Sequence, residues 1–226
     1  MPKESHVPFS ARYAALKGVH YAFETGEGDA METEVTKKLF TVQDYYRMAQ
    51  AGILRPEDRV ELIDGEIIEM SPIGYRHALC VGRITTLFIR AFGDGVTLQP
   101  QNPLRLSKWT EPQPDIVLFK PRADFYEKKR PTPADVLLTV EVSDTSLSKD
   151  QKIKLPKYAE AGISEYWIGD LRHNILYVYR SPKGKSYDTI LTFHPGDSVS
   201  VFAFPDINFR VDELLSSNCE IPVDEL

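Results

Sequence analysis

Apolar and polar positions alternate along this chain in ways that change period every ten to twenty residues. Val60-Glu61-Leu62-Ile63 and Glu66-Ile67-Ile68-Glu69-Met70 flank Asp64-Gly65, which predicts a hairpin closed by a two-residue type I′ turn, since both central positions need positive φ. Before it, Thr41 and Asp44 form a capping-box pattern that opens a short helix through Ala51, stopped by Gly52. After Ser71-Pro72 the period becomes helical. Leu79, Ile84, Leu87, Phe88 and Phe92 share one face from Tyr75 to Phe92, ahead of Gly93-Asp94-Gly95.

Short strands follow near Val96–Gln99 and Leu104–Leu106. Two continuous apolar runs, Ile116-Val117-Leu118-Phe119 and Val136-Leu137-Leu138-Thr139-Val140, read as buried strands joined by a basic, proline-containing loop over 120–135. A helix is predicted from about Lys149 to Ala161. Pro156 lies inside it, so the helix either kinks there or has its regular part start near Lys154. Strands at Glu165–Gly169 and Ile175–Tyr179 flank a turn at Asp170–Asn174. Weaker strands near Asp188–Phe193 and Val199–Phe202 and a short helix at Val211–Leu215 complete the pattern. Alternating strands and helices with antiparallel hairpins predict an α/β domain, a mixed sheet flanked by helices. Its expected limits are 36–217, between a flexible N-terminal extension (1–35) and a C-terminal tail (218–226).

Composition narrows the function classes. Of 226 residues, 42% are hydrophobic and 27% charged, the balance of a soluble globular protein. No apolar run approaches the roughly 20 residues of a membrane span, and the N-terminus lacks an apolar signal core, so no membrane partner and a cytoplasmic location are expected. Cys80 and Cys219 have neither disulfide-framework nor zinc spacing; Cys80 reads as a small buried hydrophobe. The net charge of −6 is less basic than non-specific nucleic-acid binding favours. Lys120, Arg122, Lys128, Lys129 and Arg130 nevertheless form a local basic cluster, and Lys149, Lys152, Lys154 and Lys157 a second.

The candidate chemistry lies in the carboxylates at the strand ends. Asp115 opens one apolar run and Glu141 closes the next. Such acids are costly to bury without a cation, and as hard oxygen ligands they suit Mg²⁺, with Mn²⁺ as a substitute. Asp150 and Lys154 share a helix face, with Tyr158 one turn on, either pointing into a site or forming a surface i,i+4 pair. His77, at the start of the long helix, is a secondary candidate. Glu61 alternates with apolar neighbours, so its default is solvent exposure. Ser143 lacks a nucleophile-elbow surround, and there is no Walker loop, dinucleotide-binding glycine series or His-Glu-x-x-His helix.

Taken together, Val60–Ile67, Met70-Ser71-Pro72, His77, Gln113-Pro114-Asp115-Ile116-Val117, Glu141–Leu147, Asp150, Lys154, Tyr158, Ala161-Gly162-Ile163 and Glu165-Tyr166-Trp167-Ile168 resemble the Uma-two family of endonucleases. That family is a branch of the restriction-endonuclease-like, PD-(D/E)XK superfamily. The resemblance runs from about residue 39 to 215. It implies a restriction-endonuclease-like core, Mg²⁺-dependent cleavage of DNA and, often, a homodimer, for which the Tyr- and Trp-bearing strands after Glu165 offer a surface. It makes Asp115 and Glu141 the metal-binding acids, and it sets His77 and Glu61 facing the site. The superfamily's Glu-x-Lys is broken here by Ser143, and Lys154 from the next helix is the candidate replacement. Two alternatives stay open: an inactive module on the same fold that binds nucleic acid or protein, and, more remotely, a two-carboxylate glycosidase.

Overall fold

The computed structural model describes residues 36–215, with the backbone of 19–20 and 34–35. The chain divides into two units, Met1–Leu39 and Phe40–Leu226. In the first, β1 (Val19–His20) pairs antiparallel with β2 (Glu34–Val35), a ladder the sequence did not announce. The expected flexible extension otherwise lies outside the described residues, as do the tail over 218–226 and Cys219.

The second unit opens with α1 (Val42–Gln50), whose Thr41–Asp44 capping box forms in both directions. The hairpin of β3 (Val60–Ile63) and β4 (Glu66–Glu69) turns at Asp64 (φ 52°) and Gly65 (φ 79°). The positive φ at both positions is what a type I′ turn demands. This ribbon is a separate two-stranded sheet. Then α2 (Tyr75–Phe92) buries Cys80, Val81, Ile84, Phe88 and Phe92.

The central sheet has six strands in the order β10-β9-β8-β7-β6-β5. They are β5 (Thr97–Pro100), β6 (Ile116–Phe119), β7 (Val136–Ser143), β8 (Glu165–Asp170), β9 (Ile175–Lys183) and β10 (Ser186–Phe193). Only β7 and β8 run parallel, because the helical segment between them makes the crossover that parallel neighbours require. Leu104–Leu106, expected as a strand, is instead part of a loop folded on itself. Leu104 N–H donates to the Pro112 carbonyl and Leu106 N–H to that of Thr110.

Alternation along β7 sorts two cores. Leu138, Val140 and Val142 face α2 and α5 (Val211–Leu215), together with Trp167 and with Val199 and Phe209 of a small ribbon, β11 (Ser198–Ser200) and β12 (Asn208–Arg210). The opposite face packs Val117, Tyr158, Tyr166 and Ile168. Tyr166 and Trp167 are thus buried inside the domain and offer no interface surface. Among the described residues no helix is long and apolar enough to cross a membrane.

The crossover explains Pro156. It consists of α3 (Leu147–Lys149), a π-helical turn (Asp150–Lys154) and α4 (Leu155–Glu160). Leu155 N–H reaches back to the Asp150 carbonyl, so the hydrogen bond that Pro156 cannot donate falls where the helix changes register, and regular α-helix resumes with Pro156 in its first turn.

Candidate active site

Because β6 and β7 are antiparallel with Ile116 opposite Val140, Asp115 and Glu141 meet at the same end of neighbouring strands. Glu141 does not end its strand as expected; β7 continues two residues to Ser143, held by the parallel pairing Glu141–Ile168 and Val142–Gly169. Asp115 and Glu141 line a cleft of about 190 Å³.

Each acid is half engaged. Asp115 Oδ2 accepts from His77 Nε2 (3.0 Å) and from the Val142 N–H (2.8 Å). Glu141 Oε1 accepts from Lys154 Nζ (2.9 Å) and the Tyr158 hydroxyl (2.8 Å). Among the described residues no hydrogen bond reaches Asp115 Oδ1 or Glu141 Oε2. The β6–β7 ladder ends at Ile116–Val140, and beyond it the Val142 N–H turns to the Asp115 side chain instead of to a strand partner.

Lys154 is 4% exposed, so of the two alternatives, a side chain turned inward and a surface pair with Asp150, the structure has the first. The π turn directs both residues inward. Lys154 Nζ lies 2.9 Å from Glu141 Oε1, 3.4 Å from Glu61 Oε2 and 4.0 Å from Asp150 Oδ1. Glu61 is also buried, at 1% exposure, rather than solvated. The second face of β3 is covered: the Glu111 N–H bonds the Leu62 carbonyl and the Gln113 N–H donates to Glu61 Oε2. Lys149 Nζ pairs with Glu61 Oε1 at 2.8 Å and donates to the Glu69 carbonyl. Ser143, where the resemblance leads one to expect a lysine, donates to Asp150 Oδ2 (2.5 Å), as does Ser146 (2.7 Å).

The electrostatics follow from burial. Desolvation pushes the Glu141 carboxyl well above the usual carboxylate range; Lys154 opposes the rise, while Asp150, Asp115 and Glu61 add to it. Asp150 is raised by burial, against Lys154 and the two serine hydroxyls. Burial pulls Lys154 down, but Glu141, Glu61 and Asp150 outweigh it and hold the ammonium above its ordinary value. Glu61, Asp115, Glu141, Asp144 and Asp150 line the cleft against Arg59, Lys149 and Lys154, two more acids than cations, and a divalent cation would favour their ionised forms.

These donors fit Mg²⁺. Among the described residues no three His, Cys, Asp or Glu side chains converge as a ready-made cage. Mg²⁺ needs none, since it keeps several waters and takes one or two carboxylates plus substrate oxygens. Sequence reasoning missed Arg59, Gln113 and, as a site residue, Lys149. Gln113 adjoins the Pro-Asp pair, but nothing in the pattern around Arg59 marks it. The basic loop over 120–135 joins the far ends of β6 and β7 and does not line the cleft. There Arg122 pairs with Asp124, and Arg130 lies over the Tyr46 ring.

A family model described as "Uma2: Putative restriction endonuclease" matches residues 42–212. Among solved structures, the crystal structure of "a putative nuclease belonging to DUF820" from Anabaena variabilis is similar, with a TM-score of 0.62 at 17% identity, covering 78% of this chain and 98% of that one. No curated protein matches the chain.

Proposed function

The chain belongs to the Uma2 family of restriction-endonuclease-like proteins, and from that premise we propose that the cleft is the active site of a Mg²⁺-dependent endonuclease hydrolysing DNA phosphodiester bonds. One observation supports the reading: Asp115 and Glu141, on adjacent strands, both line the cleft with Lys154, and each keeps one carboxylate oxygen outside the hydrogen bonds among the described residues.

Asp115, Glu141 and the Val142 carbonyl would hold the cation, which when bound neutralises phosphate charge and supplies hydroxide near neutral pH. His77 and the Val142 N–H fix the Asp115 carboxylate through one oxygen and leave the other available. Tyr158 does the same for Glu141. Of the three ammonium donors of Lys154, one is bonded to Glu141, while Glu61 at 3.4 Å and Asp150 at 4.0 Å attract it as ion-pair partners. A donor is thereby left for a phosphate oxygen or the attacking water. Burial makes that charge more effective than it is in solvent. Asp150, locked by Ser143 and Ser146, keeps the ammonium in place.

The test is nicking of supercoiled plasmid with Mg²⁺, Mn²⁺ or EDTA. Asp115→Ala and Glu141→Ala are expected to abolish metal-dependent nicking while circular dichroism stays unchanged. Undiminished cleavage in both variants would sink the proposal. The competing reading, an inactive binding module, predicts that calorimetric titration with Mn²⁺ gives no tight binding to the wild type.

A further inference from the structure

The cleft holds a second lysine for which the proposed chemistry has no task. Lys149 precedes the π turn and Lys154 ends it. Both line the cleft, and both reach the Glu61 carboxylate, at 2.8 Å and 3.4 Å. One carboxylate thus serves two ammoniums. For Lys154 the shortfall is made up by Glu141 at 2.9 Å and Asp150 at 4.0 Å. Lys149 has no other carboxylate partner among the described residues, and its remaining contact is the Glu69 carbonyl at 3.1 Å. Glu61 is 1% exposed, yet its Oε1 makes no hydrogen bond among the described residues, so the short contact with Lys149 is an ion pair outside hydrogen-bond geometry. An ammonium has three donors, and Lys149 directs one of them to Glu69. Its side chain is 21% exposed against 5% for Lys154, which sets it nearer the solvent in the same cleft.

We propose that Lys149 binds a backbone phosphate of the substrate in the outer part of the cleft, while Lys154 acts deeper, at the reacting phosphate; the proposal rests on the nuclease reading. The division follows from how each lysine is held. Lys154 is fixed among three buried carboxylates and is preorganised for charge that develops during reaction. Lys149 is held by a carbonyl and a shared carboxylate, and its flexible stem lets a compact ammonium turn to an arriving phosphate. A contact made equally in bound substrate and transition state lowers KM without raising kcat. It reads backbone charge and carries no base specificity.

The experiment measures binding of a duplex oligonucleotide by fluorescence anisotropy over a range of salt, with Ca²⁺ replacing Mg²⁺ so that bound DNA stays intact, alongside nicking kinetics in Mg²⁺. Lys149→Gln is expected to weaken binding, to lower the slope of log affinity against log salt by about 0.9, one phosphate's worth, and to raise KM for nicking with kcat kept. Lys149→Arg keeps the slope. Lys157→Gln removes the same charge from the same segment at a side chain outside the cleft and also keeps it, which separates a phosphate contact from a change in net charge. An unchanged slope in Lys149→Gln, or a loss confined to kcat, overturns the assignment, and nicking by the wild type then leaves the nuclease standing. A lowered melting temperature with an unchanged slope marks Lys149 as a staple between helix and ribbon and overturns it too. Wild type that neither binds DNA nor nicks plasmid removes both readings.

Discussion

Lys154 Nζ and Glu141 Oε1 stand 2.9 Å apart with both side chains 5% exposed, an ion pair formed inside the protein between a helix and a strand thirteen residues away. Truncating one partner of such a pair strands the other charge and costs about 3–5 kcal/mol. Lys154→Ala is therefore expected to lower the melting temperature, by about 2–4 °C for each kcal/mol in a chain of this size, and to lose metal-dependent nicking. Differential scanning calorimetry and the plasmid assay check the two effects separately. A variant that melts like the wild type would show the pair to be solvated.

The lysine should be transferable. Side chains two apart on a strand share a face, so a lysine at 143 reaches the side of the sheet from which Glu141 projects. Ser143→Lys in the Lys154→Ala background is expected to recover nicking relative to Lys154→Ala alone. Rescue with the same metal requirement supports a lysine relocated between strand and helix; no recovery argues that the helix position has its own task.

Stability without metal should fall as pH rises. Glu141 and Asp150 are both raised by burial, so over the raised range the folded state binds more protons than the unfolded chain. Their contribution is complete below the unfolded carboxylate values near 4 and is lost as pH climbs through the folded ones. The lowered acids, Asp124, Asp135, Glu160 and Asp212, act only at or below the ordinary range and do not offset this. Urea titrations in EDTA between about pH 5 and 9 should show declining stability, and saturating Mg²⁺ should flatten the decline by favouring the ionised acids. A rise with pH in EDTA contradicts it.

Gly169 pairs with Val142 across the parallel ladder, and a Cβ added there would lie 2.7 Å from Leu215 Cδ2. Gly169→Ala is expected to destabilise by about 1–3 kcal/mol, the usual range for overpacking, towards the lower end because the obstacle is a side-chain tip. Chemical denaturation measures it. An unchanged midpoint would mean that α5 yields freely.

The elements with strong local chemistry were legible in the sequence. Asp64-Gly65 could hardly be other than a tight hairpin turn, and the apolar face from Tyr75 to Phe92 admitted one helix. The pairing of Asp115 with Glu141 followed from two apolar runs and a connecting loop. What escaped reading was set by tertiary covering. Glu61 looked solvated because alternation says which residues share a face, not whether that face is covered; here the loop around Glu111 and Gln113 covers it. Arg59 lines the cleft with no carboxylate partner among the described residues, which only coordinates reveal. Pro156 signalled a disturbed helix, but not that the disturbance would be a π turn carrying both Asp150 and Lys154 inward.

The β3–β4 ribbon shares no ladder with the six-stranded sheet, yet its Glu61 grips both lysines of the cleft. The site is thus riveted across two separately hydrogen-bonded pieces of the domain. Segments held by fewer contacts can detach at a free energy below that of global unfolding. Lifting the ribbon alone would leave the six-stranded sheet paired while releasing Lys149 entirely and Lys154 from one of its anchors. Hydrogen exchange in β3 and β4 should then run ahead of exchange in β7, and the amides of the ribbon, more than the melting temperature, should report how long the cleft stays assembled.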